Sequence, residues 1–385
     1  MRSTLVFWAT EMSVAKGANL MRYLKEVDDP RKPSNGALHD FVEMLVIAVA
    51  AALSDCDTVE DIAYWTRAKE AWLRRFLLLT NGVPSEETFL RVFRVLDPKQ
   101  FESAFRRWVG GIVGALGGNI AVDGKTVRGS GSGGETAIHM VSAFATDLGI
   151  VLGQEKVSGK SNEITAIPEL LDALYLTGFL VSIDAMGCQK KVAAQLTARG
   201  GDYLLAVKGN QPTLLEAIET AFIEQSQAEG VDRHCEVQKG HGRIVGQIAS
   251  VLPAQGIVHP ADWPKCKTIG RIDTLRKVGD KESGLERRYY ICSRVLSAEQ
   301  LAAAARAHWG VENRLHWIID VSFGEDGSTI RKDNALQNLS LLKKIVLNII
   351  RLDTTNKTKA SLRLKRKAAT WDDDLRMNVL GFSKR

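Results

Sequence analysis

Two apolar runs, each ending in an aspartate, restrict the fold of this chain more than any other feature of its sequence. The runs span residues 120–123 and 180–184 and end at Asp123 and Asp184. Short apolar runs bounded by turn residues predict buried strands, and ligands of open α/β sheets bind beyond the carboxyl ends of the strands. We therefore predict that both aspartates lie at strand ends, on one edge of a mixed sheet.

A third acidic residue, Glu312, lies far downstream in a segment with helical periodicity. Carboxylates are ligands that Mg²⁺ prefers, and two such ions about 4 Å apart can clamp the attacking and leaving oxygens of a phosphodiester. The three acidic residues therefore point to phosphoryl transfer on nucleic acid. Asp123 and Asp184 also admit a plainer explanation, because aspartate is common in the turns that follow strands.

The segment around Glu312 places four polar residues at intervals of four. His308, Glu312, His316 and Asp320 share one face of a helix with this spacing. A zinc site formed by His308 and His316 is conceivable, but the motif H-E-x-x-H is absent, and most helix glutamates are solvated. Lys208 ends another apolar run, where it suits either solvent or a DNA phosphate.

Charge, cysteine content and the length of apolar runs restrict the class of protein and the compartment in which it works. The chain has 385 residues and carries 51 lysines and arginines against 45 acidic residues, with a pI near 9.0. This weak basic excess is compatible with an anionic partner. The five cysteines include no C-x-x-C pair, and the longest apolar stretch, residues 44–53, is too short to cross a bilayer as a helix. We expect a cytoplasmic, nucleoid-associated protein with no membrane contact.

Changes in sequence pattern divide the chain into parts. Periodicity is helical from about residue 39 to 116, where Thr58 begins a capping box and Ser85 is an expected N-cap. Strand-like runs then alternate with helices, which predicts parallel crossovers. We predict an unassigned extension at 1–20, an all-helical domain at 21–116, an α/β domain at 117–350 containing a β-rich insertion at about 211–297, and a basic C-terminal tail at 351–385.

Several motifs together resemble those of one known family. They read DGKTVRGS at 123–130, KSNEITAIP at 160–168, DAMGCQK at 184–190, KGNQ at 208–211 and HWGVENRLHW at 308–317. These motifs resemble bacterial insertion-sequence DDE transposases, in the H-repeat-associated branch, and the N-terminal helices are similar to that branch's associated domain. The resemblance covers roughly residues 20 to 380, and motifs of this length and order rarely coincide by chance.

The resemblance implies a ribonuclease-H-like mixed sheet with a β-rich insertion, preceded by an all-helical domain. It implies Mg²⁺ as cofactor, with Mn²⁺ as a substitute, and double-stranded DNA as partner: the terminal inverted repeats and the target, held by a homodimer or larger synaptic complex. By motif position, Asp123, Asp184 and Glu312 are the catalytic and metal-binding residues. The residues expected to contact DNA are Lys125, Arg128, Lys208, Asn210, His241, Arg243, His308, Asn313 and His316.

The insertion departs from the family's motif at two positions. We expect it to form a mostly β subdomain that projects from the core beside Glu312 and contacts DNA. At residues 241–247 the family usually reads His-Gly-Arg-Ile-Glu-x-Arg, whereas this chain has Val245 and Gln247. Loss of charge there predicts weaker phosphate contacts. Three functions therefore stay open: a transposase that cleaves and transfers strands, a DNA-binding remnant, and a ribonuclease-H-like nuclease without strand transfer.

The N-terminal helices are expected to begin recognition of the element ends. Helices that enter the major groove are a common device for reading DNA, although charged helix faces are often simply solvated. The cations expected on exposed faces are Arg67, Lys69, Arg74, Arg75, Arg91 and Arg94.

Overall fold

Helices make up the described chain as far as residue 113. The structure is a computed structural model that describes residues 15–32, 37–113, 117–131, 136–157, 163–225, 231–240, 242–279, 281–354 and 359–382. The first helices are α1 (Ala15–Leu24), α2 (Phe41–Leu53), α3 (Val59–Ala68), α4 (Glu70–Leu73), α5 (Glu86–Val95) and α6 (Pro98–Val113). The predicted capping box at Thr58 is confirmed, with Asp61 as its second member, and the Ser85 hydroxyl caps α5 as expected.

One mixed sheet forms the centre of the remaining chain. Its strands are β1 (Gly118–Val127), β2 (Ile138–Ala145), β3 (Ile150–Lys156), β4 (Phe179–Ile183), β5 (Asp202–Val207), β6 (Asp232–Gly240), β7 (Arg243–Pro253), β8 (Thr268–Val278), β9 (Lys281–Glu282) and β10 (Glu286–Cys292). Their order is β3-β2-β1-β4-β5-β10-β8-β7-β6, and β9 pairs with β8. β1, β4 and β5 are parallel, while β2 and β3 form the predicted hairpin. The predicted α/β class is confirmed.

Helices pack on both faces of the sheet. Successive side chains along each strand point to opposite faces, so both faces present apolar residues. The helices are α7 (Glu163–Asp172), α8 (Lys190–Ala198), α9 (Pro212–Glu224) and α10 (Ala298–Val311). Leu180 and Leu204 pack in one core with Leu301 of α10. The next residues along the strands, Val181 and Leu205, belong to the larger core on the other face. Side chains that alternate across a strand produce this separation.

The prediction that Asp123 ends its strand is wrong, because β1 continues to Val127. Parallel pairing with β4 stops at Val122, opposite Ile183. Antiparallel pairing with β2 continues past that point as far as Val127, opposite Ile138. The hairpin ladder therefore holds β1 in extended form after its other neighbour has ended. Asp123 lies where β1 becomes an open edge on the β4 side.

The insertion is continuous with the central sheet and is not a separate projecting subdomain. It begins with α9 and then supplies β6 to β10. β10 pairs antiparallel with β5, from Tyr289 opposite Val207 to Cys292 opposite Leu204. Helix α10 lies across β1, β4, β8, β7 and β6. The backbone hydrogen bonds of β10 therefore join the insertion to the strands that carry the aspartates.

A long buried helix joins the helical region to the sheet. After α10 the chain forms a π-helical turn (Glu312–His316), α11 (Trp317–Phe323) and α12 (Ala335–Leu352). α12 packs against α2, α5 and β3. The Asn348 side chain both donates to and accepts from the backbone of Val151, at 2.8 Å each. This amide pairs the backbone N–H and C=O of Val151 on the open edge of β3, where unpaired groups can bind another strand.

The predicted basic tail contains two helices that pack on the N-terminal helices. They are α13 (Leu362–Trp371) and α14 (Asp373–Leu380). The guanidinium of Arg366 is fully buried, donating to Asp57 at 2.7 Å and to the carbonyl of Ala52 at 2.8 Å. Arg376 is also buried and stacks over Trp72. Their charges are compensated inside the protein, so a count of basic residues there does not indicate a solvated tail. None of the described helices combines the length and apolar character needed to span a membrane.

Candidate active site

The strand register brings Asp123 and Asp184 side by side. Val122 and Ile183 are opposite each other in the last pair of the β1–β4 ladder, and the two aspartates are the residues that follow. Asp184 Oδ1 accepts hydrogen bonds from the N–H groups of Met186 at 3.0 Å and Gly187 at 3.2 Å. This turn fixes one carboxylate oxygen of Asp184 in place.

Gly187 is required for this turn to lie against the sheet. A Cβ at this position would overlap the side chain of Ile183, the residue before Asp184. Close approach of a turn to a buried strand needs glycine. The DAMGCQK motif therefore encodes the shape of the turn as well as its carboxylate.

Helix α10 leads to Glu312 beside the two aspartates and is attached to β4 by a half-buried contact. His308 Nδ1 lies 3.0 Å from Ser182 Oγ. Because the Ser182 hydroxyl donates to the carbonyl of Ile120 at 3.2 Å, we infer that His308 Nδ1 carries the hydrogen and donates to Ser182. His308 was predicted to contact DNA. The structure places it in a half-buried contact with Ser182, where desolvation lowers its pKa.

A π-helical turn spans Glu312 to His316. Trp317 donates its N–H to the carbonyl of Glu312, one residue further than an α-helix allows. The extra residue changes the register of the helix by about 100°, so Leu315 and Ile319 stay buried while Glu312 faces outward. π-bulges occur frequently at functional sites. The uniform four-residue stripe predicted from sequence is therefore interrupted at its acidic member.

The three acidic residues line one cleft of about 290 Å³. Its wall also includes Lys208, which is exposed at the end of β5, and Arg288 and Trp309. The guanidinium of Arg288 lies 3.9 Å from the centroid of the Trp309 ring, and half of Trp309 is exposed. An acidic floor with a cationic and aromatic rim suits a metal-assisted reaction on an anionic polymer.

The electrostatics of the cleft favour a bound cation. Burial, together with the charges of Asp184, Glu163 and Glu312, raises the pKa of Asp123 to about 7. Within the described ranges no lysine or arginine forms an ion pair with Asp123, Asp184 or Glu312. The donors are oxygens, which hard divalent cations prefer. The residues present therefore fit Mg²⁺ or Mn²⁺.

His316 lies closer to the acidic groups than its expected role in DNA contact implied. Its Nδ1 is 3.6 Å from Asp123 Oδ2 and 3.5 Å from Glu312 Oε2. Burial, with the charges of Lys344 and Lys125, lowers the pKa of this imidazole to about 4. The imidazole is therefore neutral near pH 7. Its four-residue spacing from Glu312 was visible in the sequence, although its buried position was not.

A histidine–glutamate pair beside Asp123 was missed by sequence reasoning. His139 Nε2 lies 2.6 Å from Glu163, and His139 Nδ1 lies 2.8 Å from the hydroxyl of Thr126. Both side chains sit directly over Gly124, where a Cβ would overlap them. The signal was present, because Glu163 belongs to the KSNEITAIP motif and Thr126 to DGKTVRGS. Neither motif indicates that the two are joined through His139.

Lys125 is held inside the protein by carboxylates. Its ammonium lies 2.5 Å from Asp320 and 2.9 Å from Glu325. Burial opposes the charge of Lys125, but Glu325 and Asp320 outweigh it and raise the lysine pKa. Arg128 has a side chain that is 85% exposed and approaches Asp326 at 3.6 Å. Of these two expected phosphate ligands, only Arg128 is accessible.

The remaining predicted residues divide between the cleft and the outer sheet. Asn210 is exposed and donates to the carbonyl of Ala185 at 2.6 Å, which ties the Lys208 loop to the Asp184 turn. Asn313 is exposed beside Glu312. Arg243 is exposed at the start of β7 and does not line the cleft. His241 lies outside the described residues.

Known proteins resemble this chain in sequence over most of its length. The sequence-family model described as "Transposase DDE domain" matches residues 117–349, and the model described as "DDE_Tnp_1-associated" matches residues 21–109. "Putative transposase YncI" of Escherichia coli O157:H7 is 38% identical over 342 residues, 86% of this chain and 87% of that protein.

A second relative covers almost the whole chain. "H repeat-associated putative transposase YhhI" of Escherichia coli (strain K12) is 36% identical over 373 residues, 94% of this chain and 98% of that protein. Among solved structures, a piggyBac transposase synaptic complex with hairpin DNA aligns over 97% of this chain and 80% of that chain, with 10% identity and a TM-score of 0.40.

Proposed function

This chain belongs to the DDE transposase family, in its H repeat-associated branch, and we propose that it cleaves DNA at the ends of an insertion sequence and joins the freed ends to target DNA. The observation that carries this proposal is the convergence of Asp123 and Asp184, from adjacent parallel strands, with Glu312 in one cleft. Three carboxylates that converge from distant parts of the chain repel one another, and a shared cation would offset that repulsion.

Asp123, Asp184 and Glu312 are the residues that would hold Mg²⁺ or Mn²⁺. When bound, the cations supply charge neutralisation at the scissile phosphodiester and activate the attacking oxygen. Phosphoryl transfer asks little covalent chemistry of the protein, so the protein's own part is positioning. The Asp184 turn, the His308–Ser182 contact and the π-turn at Glu312 hold the three carboxylates in fixed relation.

The rim of the cleft would hold the DNA strand. Lys208 lies at the end of the strand next to Asp184 and suits a phosphate, as a point charge. Arg288 and Trp309 offer a cation and an aromatic face to the same strand. Lys125 is not assigned a phosphate in this mechanism, because carboxylates already engage its ammonium. Its role is to fix β1 against α11 and the segment that follows it.

The DNA partner would be double-stranded, comprising the terminal inverted repeats and the target. Joining two ends to one target requires two cleavage sites, which favours a homodimer or a larger synaptic complex. The terminal repeats would be found by sequencing the DNA on each side of the gene. That DNA supplies the substrate for the decisive experiment.

The test compares the parent protein with Asp184→Asn on a supercoiled plasmid that carries the two repeats. We expect the parent to nick at the repeats in Mg²⁺ and to form strand-transfer products, and the variant to bind the same DNA without cleaving it. Nicking without transfer products would identify a nuclease. Binding without nicking by the parent would identify a DNA-binding remnant, and equal cleavage by both proteins would refute the assignment of Asp184.

A further inference from the structure

We propose that His316 is a nitrogen ligand of the divalent cation in the acidic cleft and gives this site a preference for Mn²⁺ over Mg²⁺. The inference deepens the proposed function and rests on it, because it requires a cation between Asp123 and Glu312. It adds a donor of a different chemical class to the three carboxylates.

The positions of three donor atoms support this assignment. A ring nitrogen of His316, a carboxylate oxygen of Asp123 and one of Glu312 all lie within 4.8 Å of one another. Ligands held about 2.1 Å from one octahedral ion lie about 3.0 to 4.2 Å apart. The measured separations of His316 Nδ1 from the two carboxylates, 3.6 and 3.5 Å, fall inside that interval.

The same separations do not fit direct hydrogen bonds. An N–H donor lies about 2.7 to 3.2 Å from its acceptor, so His316 bonds neither carboxylate. If Nε2 carries the hydrogen, the lone pair of Nδ1 faces two carboxylates, and that arrangement is repulsive without a cation. The separations between these three groups therefore fit ligands of one metal ion better than partners in a hydrogen bond.

His316 is built into the protein in a way that fixes its ring. Only 5% of the residue is exposed, and it closes the π-turn that begins at Glu312. Its Nε2 is buried without a hydrogen-bond partner within the described part of the chain. Buried polar atoms are nearly always paired, so a histidine kept here without a protein partner calls for a role other than filling the core.

A nitrogen donor changes which ion the site prefers. Mg²⁺ takes oxygen ligands and keeps several waters. Mn²⁺ also suits carboxylates, but as a first-row transition ion it gains from an imidazole donor that Mg²⁺ does not favour. Asp184 lines the same cleft but lies outside the three-donor group. Because Asp184 offers the site only oxygen donors, its loss should weaken binding of both ions alike, whereas loss of His316 should weaken binding of Mn²⁺ selectively.

Pulsed electron paramagnetic resonance of Mn²⁺ bound to the untagged, DNA-free protein tests the proposal directly. An imidazole ligand imposes nitrogen-14 modulation on the Mn²⁺ echo. We expect this modulation in the parent, its loss in His316→Gln and its retention in His308→Gln, a matched variant of the half-buried histidine two turns earlier in the same segment. Competition between Mn²⁺ and Mg²⁺ should show the preference for Mn²⁺ falling at least about tenfold in His316→Gln.

Each outcome separates this inference from the proposed function. Mn²⁺ binding that depends on Asp184 and Glu312 but shows no nitrogen modulation overturns the role of His316 and leaves the metal-dependent transposase standing. Modulation that persists in His316→Gln also overturns it. Absence of Mn²⁺ binding, with no difference between the parent and Asp184→Asn, refutes the metal site itself. If circular dichroism shows that His316→Gln is misfolded, the parent's own spectrum decides whether any imidazole binds the ion.

Discussion

Nδ1 of His308 lies 3.0 Å from Oγ of Ser182, and this contact joins the helix that carries Glu312 to the strand that carries Asp184. Ser182 precedes Asp184 by two residues, and His308 precedes Glu312 by about one helical turn. The contact therefore fixes the distance between two acidic residues that are far apart in sequence. Productive geometry in phosphoryl transfer depends on such positioning.

We predict that Ser182→Ala and His308→Phe each slow nicking by about 10- to 100-fold with little change in DNA affinity. Either change removes the contact that holds α10 against β4, while the three carboxylates remain. The double variant should be no slower than the slower single variant, since both act through one contact. Single-turnover nicking measures the rates, and fully multiplicative losses would show that the two residues act independently.

Lys125 and Arg128 lie three residues apart in one motif and should respond in opposite ways to substitution by methionine. Lys125→Met removes the ammonium that contacts Asp320 and buried Glu325 directly, so we expect a loss of about 3 kcal/mol and a fall in Tm of about 3–5 °C. Arg128→Met should leave Tm unchanged within about 1 °C and reduce the salt dependence of DNA binding by about one unit of slope.

Thermal unfolding and DNA titrations at several salt concentrations check this pair. The comparison is informative because both residues are cations of the same motif and differ in burial, 11% against 85% exposed side chain. A stable Lys125→Met protein with a shallower salt slope would restore the phosphate contact predicted from sequence. In that case the buried carboxylate cluster would have to be neutralised by Lys343 and Lys344, which are also buried nearby.

The raised pKa of Asp123 predicts how the metal-free protein responds to pH. Its pKa is about 7 in the folded state and near 3.8 when unfolded, so folding favours the protonated form. The stability tied to this proton is complete below about pH 4 and is lost as pH rises through 7. Asp123→Asn should therefore be more stable than the parent at pH 8, by about 2–4 kcal/mol, and equal to it near pH 4.

Unfolding of both proteins in a chelating buffer from pH 4 to 8 measures this difference. Mn²⁺ should raise the Tm of the parent at pH 8 and have a much smaller effect on the variant, because a bound cation relieves the repulsion in place of the proton. A stability difference independent of pH would show that the carboxylate is not strained by its neighbours.

Local sequence patterns were sufficient to predict most elements but not their continuations. Apolar runs identified β4 and β5, and the Thr58 and Ser85 caps identified helix starts. Gly124, Lys125 and Thr126 are not apolar, so the extension of β1 past Asp123 could not be read from periodicity. It is a consequence of pairing with β2, and strand pairing is a tertiary property.

Sequence patterns predicted those residues of the site that lie in recognisable motifs, and not the partners that contact them. The three acidic residues belong to separate recognisable segments, and their convergence follows once β1 and β4 are adjacent. The partners of Lys125 begin almost 200 residues away at Asp320, and those of Arg366 more than 300 residues away at Asp57. The sequence does not show whether a charged side chain faces solvent or pairs with an opposite charge inside the protein. Lys125 and Arg366 both do the latter.

The N-terminal cations provide a prediction about recognition of the element ends. Lys69 lies 2.9 Å from Asp373 and Arg75 lies 3.5 Å from Asp374, so these two residues tie α14 to the helical region. Arg67 and Arg91 are exposed. We predict that Arg67→Glu and Arg91→Glu weaken binding to end DNA, whereas Lys69→Ala lowers stability without a change in preference for end DNA over random DNA.

Competitive binding of end DNA and random DNA to full-length protein provides the measurement. Deleting the module would be a poor test, because α13 and α14 pack on it and the buried guanidiniums of Arg366 and Arg376 would be uncovered. Unchanged preference in both glutamate variants would mean that the exposed cations are simply solvated. End recognition would then have to reside in the sheet domain.

The two departures from the family's motif in the insertion face partners within the sheet. Val245 of β7 is opposite Gln238 of β6 and Arg276 of β8. Gln247 is opposite Glu236 and Thr274, and it donates to the Thr274 hydroxyl at 3.3 Å. Residues directly opposite in a sheet interact through their side chains. Glutamate at 245 would therefore meet Arg276, and arginine at 247 would meet Glu236.

We predict that Val245→Glu combined with Gln247→Arg raises stability slightly and leaves DNA binding unchanged. Each new cross-strand ion pair is worth about 0.2–1 kcal/mol, so Tm should rise by about 0.5–2.5 °C while the salt slope stays constant. Adding Arg276→Met to the double variant should remove the part of the gain due to residue 245. If the double variant instead steepens the salt slope by about one unit and raises transposition, the family's charged pair contacts DNA phosphates. The present chain would then be a weakened transposase.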